Sequence, residues 1–545
     1  MTFVIAQGCC SDAACVSACP VDCIRPRPDD PEFMSAEQLY IDPDSCIDCA
    51  ACMTECPVGA VYDENDMPRD LEVFREINAE YFAENPLEVV EDARTVRRRL
   101  SGDRPELRVA VVGSGPSGCY TVDQLSRIPG VRVTLIDRLP TPYGLVRAGV
   151  APDHLATKDT AKVFAKVIRR PNVHCLFNVE VGVHVSIGEL LGAHHAVVMA
   201  TGADEARTLG IPGEELAGVH SARDFVAWYN GHPDHAGRRF DLSGERVVII
   251  GNGNVALDAA RLMVTDEHAL EATDMARDAV EALRQADVRE VVIAARRGVL
   301  DAAYTTPELL ALTRMPGVEL LAESSELGYD ADDRRLRRST TRRKLHVAEA
   351  ASHTPRQGGK RIILRYNMVP VSLNGSGRVE SFTFRRDPTV PDGNAELETL
   401  STGLVLRAIG YRAAPIDGLP LNSETGTIAH RVGRIHHSSP EDPELGLYCV
   451  GWAKRGPSGV IGTNQVCAAE TVEAVLDDFL GGTLGEPGCS ADELAAVIAA
   501  RQPSIVDHGA WLAIDAAEKR RAADSPTRPR EKFVTLAEML AAAGR

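Results

Sequence analysis

The sequence predicts a small α+β domain followed by an α/β region that contains two dinucleotide-binding folds. Two observations predict this order. Nine of the fourteen cysteines lie within the first 56 residues, so the N-terminal part has a chemistry of its own. Farther along, two glycine-rich turns each follow a short apolar run and precede a helical pattern, which is the strand–turn–helix order of a parallel sheet.

Length and charge limit the possible classes of protein. The chain has 545 residues, enough for three or four domains, and a net charge of −19. Residues 1–66 contain thirteen acids and two arginines. This acidity disfavours nucleic acid and anionic membrane surfaces as partners. No apolar run approaches the ~18 residues of a membrane span, and the first residues do not form a secretory signal, so we expect a cytoplasmic protein.

A cysteine run at residues 46–57 has the C-x2-C-x2-C-x3-C-P spacing of an iron–sulfur site. Three of its thiolates bind one cluster, whereas the fourth cysteine of such a run ligates a neighbouring cluster. A shorter cysteine run precedes it at residues 9–20. The two runs therefore predict two sites that exchange ligands: Cys19, Cys46, Cys49 and Cys52 form one, and Cys9, Cys15 and Cys56 form the other.

The shorter run leaves the type of the second cluster open. Five residues separate Cys9 from Cys15, so a middle ligand at x2 spacing is missing. The ligand count favours a [3Fe–4S] cluster beside a [4Fe–4S] cluster, but Cys10 as an additional ligand would give two [4Fe–4S] clusters. A disulfide framework would suit a small secreted domain, and zinc sites use separated cysteine pairs, so both fit less well.

The first dinucleotide-binding turn lies at residues 113–118. A strand-like run at 107–112 precedes it and a helical pattern comes after it, so the glycines let the backbone approach a pyrophosphate at a helix N-terminus. The next strand ends at Asp137, 24 residues beyond Gly113, where an acid binds a ribose hydroxyl. The predicted cofactor contacts are Gly113, Ser114, Gly115, Pro116, Ser117, Gly118 and Asp137.

The second such turn lies at residues 251–256 and differs from the first in the strand that comes after it. This strand ends in two arginines instead of an acid, and arginine suits a 2′-phosphate. This difference predicts FAD at the first turn and NADPH at the second. The predicted NADPH contacts are Gly251, Asn252, Gly253, Asn254, Val255, Arg296 and Arg297.

Three longer segments carry a resemblance to a known family. They are Thr-Pro-Tyr-Gly-Leu-Val-Arg-Ala-Gly-Val-Ala-Pro-Asp-His at 141–154, Gly-Asn-Gly-Asn-Val-Ala-Leu-Asp-Ala-Ala-Arg at 251–261 and Gly-Trp-Ala-Lys-Arg-Gly-Pro-Ser-Gly-Val-Ile-Gly-Thr-Asn at 451–464. From residue 106 nearly to its end, the chain resembles adrenodoxin reductase-like ferredoxin–NADP reductases. Residues 1–66 resemble a bacterial two-cluster ferredoxin, so the whole chain is similar to fused ferredoxin/ferredoxin–NADP reductases.

The resemblance implies a fold and a division into domains. The fold is an α+β two-cluster ferredoxin domain followed by an α/β flavoprotein reductase, in which the NADPH-binding domain is inserted into the FAD-binding domain. The expected boundaries are 1–66 for the ferredoxin domain, 67–105 for a linker, 106–204 for the first part of the FAD-binding domain, 205–405 for the NADPH-binding domain and 406–545 for the rest of the FAD-binding domain with its tail.

The resemblance also implies site residues. His154 and Asp258 match a pair that handles protons and positions the nicotinamide. Glu308 matches an acid near the NADPH ribose. Trp452 and Gly459 border the nicotinamide–flavin stack, and the same motifs add Leu145, Val460 and Ile461 to the cofactor contacts.

The implied activity is that of a ferredoxin–NADP(+) reductase. Electrons move between NADPH, FAD and the iron–sulfur clusters, and an external ferredoxin or another one-electron acceptor is the expected partner. A thioredoxin reductase-like enzyme would need a Cys-x-x-Cys motif in the reductase part, which is missing. The small subunit of glutamate synthase has another cysteine layout. An electron-storage protein with an idle flavin domain is disfavoured by the intact glycine turns.

Overall fold

The computed structural model describes residues 2–87, 98–386, 396–437 and 439–545. Its N-terminal unit contains two short antiparallel strand pairs, β1 with β4 and β2 with β3, and three α-helices. The elements are β1 (Phe3–Ile5), α1 (Ala14–Ala18), β2 (Ile24–Arg25), β3 (Tyr40–Ile41), α2 (Ala51–Glu55), β4 (Val61–Asp63) and α3 (Val73–Glu84). Left-handed alanines, Ala13 and Ala50, precede α1 and α2, so the two cysteine runs form the same kind of turn.

The helix α3 lies in the predicted linker but packs as part of the N-terminal unit. Its Phe74, Ile77 and Phe82 are buried against β1 and β3. The Asn78 side chain donates to Ile5 O at 2.8 Å and accepts from Ile41 N at 2.8 Å, which joins the two strands. α3 thus completes the first core, although it falls within the predicted linker 67–105.

The second unit begins with a strand–helix series. Its elements are β5 (Leu107–Val112), α4 (Pro116–Ser126), β6 (Val131–Asp137), α5 (Leu145–Ala148), α6 (Leu155–Lys158), α7 (Thr160–Ile168), β7 (Val173–Phe177), α8 (Ile187–Ala193) and β8 (Ala196–Met199). Strands β5, β6 and β8 are mostly buried and apolar, and β7 is buried over its last three residues, as expected for a parallel sheet covered on both faces.

An inserted third unit comes next. Its elements are β9 (Glu205–Ala206), β10 (Val219–Ser221), α9 (Ala222–Tyr229), β11 (Arg246–Ile250), α10 (Asn254–Val264), α11 (Glu267–Glu271), α12 (Arg277–Arg284), β12 (Glu290–Ala294), α13 (Thr306–Thr313), β13 (Val318–Ala322), α14 (Ser339–Ser352), β14 (Lys360–Arg365), β15 (Met368–Asn374), β16 (Ser381–Arg386), β17 (Leu397–Ser401) and β18 (Leu404–Arg407). Its six-stranded parallel sheet has the order β10-β18-β11-β12-β14-β13, and β15–β17 form a separate antiparallel sheet.

The chain then returns to the second unit. The remaining elements are β19 (Tyr411–Arg412), β20 (Leu421–Asn422), β21 (Thr427–Ile428), β22 (His430–Arg431), β23 (Arg434–Ile435), β24 (Leu447–Cys449), α15 (Trp452–Arg455), α16 (Thr463–Leu480), α17 (Ala491–Arg501), α18 (His508–Arg521) and α19 (Leu536–Ala542). Strand β24 joins β8 in a seven-stranded sheet of order β22-β23-β24-β8-β5-β6-β7.

The two connections of the inserted unit run side by side, because β9 pairs with β19. Strand β18 belongs to the inserted sheet and ends at Arg407, two residues beyond the predicted boundary at 405. Residues 266–288 form two helices, α11 and α12, on either side of a buried turn at 273–276. The helix α14 lies between β13 and β14. Among the described residues, no helix is long and apolar enough to cross a membrane.

Candidate functional site

The first glycine turn, between β5 and α4, has no room for side chains at two positions. Gly113 has φ +107°, and a Cβ there would lie 2.4 Å from Ala200 O. A Cβ on Gly118 would lie 1.9 Å from Gly113 O. The N-terminus of α4 has no side-chain cap, so its free N–H groups suit an anionic ligand. The turn therefore fits a pyrophosphate.

The predicted ribose acid, Asp137, is fixed to this turn. Its Oδ2 accepts hydrogen bonds from Ser114 N at 2.8 Å and Ser114 Oγ at 2.6 Å, and its Oδ1 accepts one from Leu139 N at 2.9 Å. Burial raises the pKa of Asp137, although these hydrogen bonds act against the shift. Asp137 thus orders the glycine turn from the end of β6.

The late segment at 451–464 meets the same turn. Ser117 Oγ donates to Asn464 Oδ1 at 2.8 Å, and a Cβ on Gly451 would lie 1.9 Å from Ser117 Oγ. Asn464 Nδ2 donates to Ile461 O at 2.9 Å, and α16 begins next to it without a side-chain cap. The structure therefore brings the 459–464 loop to the first glycine turn.

Three other predicted contacts lie at the surface or edge of this region. Trp452 is half-buried, and its Nε1 donates to Ser458 O at 3.2 Å. Gly459 has φ +79°, which favours glycine. Leu145 is exposed at the start of α5, directly after Gly144, which packs on Gly115.

The second glycine turn, between β11 and α10, is open on one side. A Cβ on Gly251 would lie 2.2 Å from Ala408 O, whereas Gly253 has nothing within 4 Å of its Cβ position. The amide of Asn252 is buried and Nδ2 has no hydrogen-bond partner among the described residues. Since α10 also lacks a side-chain cap, this turn leaves several donors for a phosphate group.

Two exposed arginines come after β12 beside this turn. Arg296 and Arg297 form no ion pair with any residue that the structure describes. Asn254 holds the loop that comes after them, because its Oδ1 accepts from Thr305 N at 2.8 Å. A dinucleotide with an additional phosphate fits this set of donors.

His154, Asp258 and Glu308 meet between the second and third units. Their nearest side-chain ligand atoms all lie within 4.8 Å of one another, and His154 Nε2 is 3.8 Å from Glu308 Oε2. Burial raises the pKa of Asp258 to about 7; His154 opposes this shift and Glu308 adds to it. The cluster thus contains a carboxyl that changes its charge near neutral pH. Glu308, expected near the ribose, lies beside His154.

The sequence interpretation missed two members of this cluster. The guanidinium of Arg261 contacts both Asp153 and Asp258. Because one guanidinium serves two carboxylates, it joins the 141–154 segment to α10 without neutralising both acids. The i,i+3 spacing of Asp258 and Arg261 on a helix was the signal that pointed to this pair.

The seven predicted metal ligands form two groups. The second thiol group, Cys19, Cys46, Cys49 and Cys52, lines one small pocket together with Phe3 and Ile24. The first thiol group, Cys9, Cys15 and Cys56, lies next to it: burial raises the pKa of the Cys15 thiol, and the neighbouring Cys9 and Cys56 add to the shift. Each thiol group thus combines cysteines from both runs.

The chemistry of both groups suits bound metal. Burial raises the pKa of the Cys52 thiol to about 11, and Cys46, Cys19 and Cys49 add to the shift. Closely spaced thiols resist ionisation unless a metal takes up the charge. Two backbone groups already donate to sulfur, Cys23 N to Cys19 Sγ at 3.4 Å and Ala60 N to Cys56 Sγ at 3.3 Å. Such hydrogen bonds tune cluster potentials.

Two family models match the chain in separate regions. Residues 7–60 match a 4Fe-4S dicluster domain, and residues 107–341 match the pyridine nucleotide-disulphide oxidoreductase family. These regions contain the two thiol groups and the two glycine turns. They confirm the predicted fold class of a two-cluster domain followed by a dinucleotide-binding oxidoreductase.

Known proteins match the chain in whole or in part. A probable ferredoxin/ferredoxin–NADP reductase of Mycobacterium tuberculosis is 45% identical over 559 residues and covers 100% of this chain and 95% of that protein. Its counterpart in Mycobacterium leprae is 44% identical, with 100% and 98% covered. The solved structure of Mycobacterium tuberculosis FprA in complex with NADPH matches with a TM-score of 0.76 and 40% identity, over 81% of this chain and 100% of that one.

Proposed function

The chain belongs to the family of ferredoxin/ferredoxin–NADP reductases, and we propose that it moves electrons between NADPH, FAD and its own iron–sulfur clusters. One observation carries the proposal: two nucleotide-binding turns and two thiol groups occur in one chain, with the His154–Asp258–Glu308 cluster where the nucleotide-binding units meet. NADPH gives up two electrons as a hydride. Two one-electron acceptors balance the reaction, which yields NADP⁺, a proton and two reduced acceptors.

Each part of the site takes a separate proposed role. The first glycine turn with Asp137 binds FAD, whose chemistry links a two-electron donor to one-electron carriers. The second turn binds the NADPH pyrophosphate, and Arg296 and Arg297 bind its 2′-phosphate. His154 and Asp258 position the nicotinamide and hold a proton at the imidazole and the carboxyl. Gly459 would border the nicotinamide and the flavin, and Val460 and Ile461 would add further cofactor contacts.

The finer assignment of the clusters and partner is part of the proposal. We assign a [3Fe–4S] cluster to the first thiol group and a [4Fe–4S] cluster to the second, from the ligand count. Cys10 is buried beside Cys9 and Cys56, so a [4Fe–4S] cluster at the first group remains the alternative. The external partner is a ferredoxin or another one-electron acceptor. Iron and sulfide analysis with EPR of anaerobically purified protein separates the two cluster assignments.

Anaerobic reduction by NADPH tests the function. We expect NADPH to bleach the FAD absorbance and to change the EPR signal of at least one cluster in the same sample. Dithionite added afterwards shows which clusters remain reducible. If FAD is reduced and no cluster signal changes, although dithionite reduces the clusters, the internal route is wrong.

Asp258→Asn should remove a pH dependence of FAD reduction. The pKa of Asp258 is raised to about 7, so its carboxyl is neutral at pH 6 and charged at pH 8. A charged carboxylate favours the positive charge that develops on the nicotinamide, and we expect the wild-type rate to rise roughly tenfold over this range, about 1.4 kcal/mol. Stopped-flow absorbance measures this rate.

The matched control for this experiment is Asp287→Asn, which removes an exposed acid from the same unit. It should keep the wild-type pH profile, whereas Asp258→Asn should be flat from pH 6 to pH 8. A variant at Asp258 that still shows the wild-type profile would exclude this carboxyl as the titrating group.

A further inference from the structure

We propose that electrons pass from the flavin site to the cluster of the first thiol group, then to that of the second, and leave to an acceptor protein with a basic surface that docks around Ile47 and Met53. The inference rests on the function proposed above and adds the order of the clusters and the kind of partner. It depends on three observations: what covers the first group, what surrounds the second, and which acids of the N-terminal unit are already paired.

The first thiol group faces the reductase. The backbone N of Gly462 donates to Cys10 O at 2.8 Å, and a Cβ at Gly462 would lie 1.7 Å from Ser11 O, so the two backbones are in direct contact. Tyr120 on α4 donates to Asp12 Oδ2 at 2.7 Å. Both contacts lie in the loop between Cys9 and Cys15. These contacts join the loop between Cys9 and Cys15 to α4 and to the start of α16. Both helices border the proposed flavin site.

The side chain of Ile461 fills the space beside this contact. Ile461 packs against Cys10 and Val58. Cys9 and Cys56 pack against the same two residues. Cys10 and Cys15 are only 4% and 7% exposed. A cluster at the first thiol group is therefore enclosed between the N-terminal unit and the loop at 459–462, so it is placed to exchange electrons with the flavin but not with a separate protein.

The second thiol group faces solvent. Cys49 is exposed, and the large apolar side chains around it are exposed as well: Ile47 to 56%, Met53 to 45% and Val21 to 38%. Val21 and Ile47 line the same cavity as the four thiols. Apolar side chains grouped on a surface mark an interaction site more often than single ones do. This face is therefore the exit from the chain.

Two sets of acids in the N-terminal unit differ in what they contact. Glu37, Glu80 and Glu84 form ion pairs with the inserted unit; their partners are Lys344 at 2.6 Å, Arg343 at 2.8 Å and Arg342 at 2.8 Å. Asp44, Asp48 and Glu55 are exposed next to the second thiol group, and no ion pair in the described parts of the chain involves them. The first set of acids is thus paired with α14 of the inserted unit. The second set, beside the second thiol group, has no ion-pair partner among the described residues.

The free acids indicate the charge of the partner. Complementary charges speed the encounter of two proteins, and like charges placed opposite each other cost several kcal/mol. An acceptor with a basic rim around an apolar centre fits the surface of Ile47, Met53 and the three acids. A strongly acidic ferredoxin would be repelled by them.

Charge reversal tests the docking surface, with cytochrome c as a basic one-electron probe. We expect Asp44→Lys/Asp48→Lys/Glu55→Lys to lower the second-order rate of cytochrome c reduction about tenfold or more at low salt. FAD reduction by NADPH, the iron content and the cluster EPR signals should stay unchanged. The control is Asp29→Lys/Asp66→Lys/Glu72→Lys, which reverses three exposed acids elsewhere in the same unit.

Two cysteine variants test the order of the clusters. In Cys9→Ser, NADPH should no longer reduce the cluster of the second thiol group, although dithionite still does. In Cys49→Ser, NADPH should still reduce the cluster of the first group, while cytochrome c reduction falls. The reverse pattern overturns the order, and equal cytochrome c rates for the two charge-reversed proteins overturn the docking surface. If NADPH reduces FAD but no cluster in the wild type, the proposed function fails instead.

Discussion

Asp274→Asn should lower the melting temperature of the holoenzyme by roughly 10 °C, because it leaves two buried ammonium groups without a carboxylate. Asp274 lies in the turn between α11 and α12. Its carboxylate is 2.8 Å from Lys158 Nζ and 2.9 Å from Lys532 Nζ. The side chains of Asp274 and Lys532 are 7% and 1% exposed. Breaking such a buried pair costs about 3–5 kcal/mol.

The three charged groups come from three parts of the chain. Removing Asp274 therefore weakens the contacts between all three parts, and a large effect is expected. Lys158 belongs to α6, Asp274 to the inserted unit, and Lys532 to the C-terminal tail. Asn230 Oδ1 accepts from both lysines, at 2.8 Å and 3.3 Å. Arg147 in α5 also binds Glu518 in the tail. The tail therefore fastens the inserted unit to the second unit, a role that its sequence does not reveal.

The pH dependence of the Asp274→Asn variant has a definite sign. Burial opposes ionisation of Asp274, but the two lysines outweigh it and lower its pKa to about 2. Burial lowers the pKa of Lys532 well below its ordinary value. Without the carboxylate, the folded variant binds fewer protons than the unfolded chain up to a pH of about 10.5, so its stability rises with pH. The difference in melting temperature between this variant and the wild type should therefore become smaller between pH 7 and pH 9.

Two further variants make the stability experiment decisive, with melting followed by circular dichroism. Asp278→Asn removes an exposed acid of α12 and should melt with the wild type. Asp274→Asn/Lys532→Met also removes one of the two unpaired ammonium groups and should restore part of the lost melting temperature. If Asp274→Asn melts at the wild-type temperature at pH 7, the cluster does not hold the units together.

The predictable parts of the fold depend on spacing over short stretches. The C-x2-C-x2-C-x3-C-P run and the two glycine turns fix geometry within a dozen residues, so their chemistry can be read from the sequence. The fold class is predictable from the order of these turns and the strands around them. The contacts that join the units are not, because a salt bridge such as Lys344–Glu37 links residues about 300 positions apart.

The helix α14 shows why some elements cannot be predicted from the local sequence. Its sequence begins Ser-Thr-Thr-Arg-Arg-Lys and has no local side-chain cap, so neither a start signal nor a long apolar stripe marks it. Its cap comes from elsewhere: Ser339 N donates to the Glu84 carboxylate of α3 at 3.0 Å. In the same way Thr306 N at the start of α13 donates to Glu37 at 2.7 Å. The N-terminal unit caps two helices of the inserted unit, which no local pattern records.

Replacing both Arg296 and Arg297 by alanine should reduce the preference for NADPH over NADH on the order of 100-fold. Each guanidinium that binds a phosphate contributes about 1.5–3 kcal/mol, and 1.4 kcal/mol is a factor of ten. Both side chains are exposed at the end of β12 and have no carboxylate partner among the residues described, so they are free to bind the 2′-phosphate. Dissociation constants for NADP⁺ and NAD⁺, measured by difference absorbance, give the ratio directly.

The control for this pair must remove the same charge without touching the nucleotide turn. Arg239→Ala/Arg289→Ala does so, since both arginines are exposed and Arg289 precedes the opposite end of β12. We expect this control to weaken NADP⁺ only slightly, through the long-range field of the lost charges. The Arg296→Ala/Arg297→Ala variant should keep its affinity for NAD⁺, because NAD⁺ has no 2′-phosphate. Equal losses for both nucleotides would mean that these arginines support the fold of the turn and do not select NADPH.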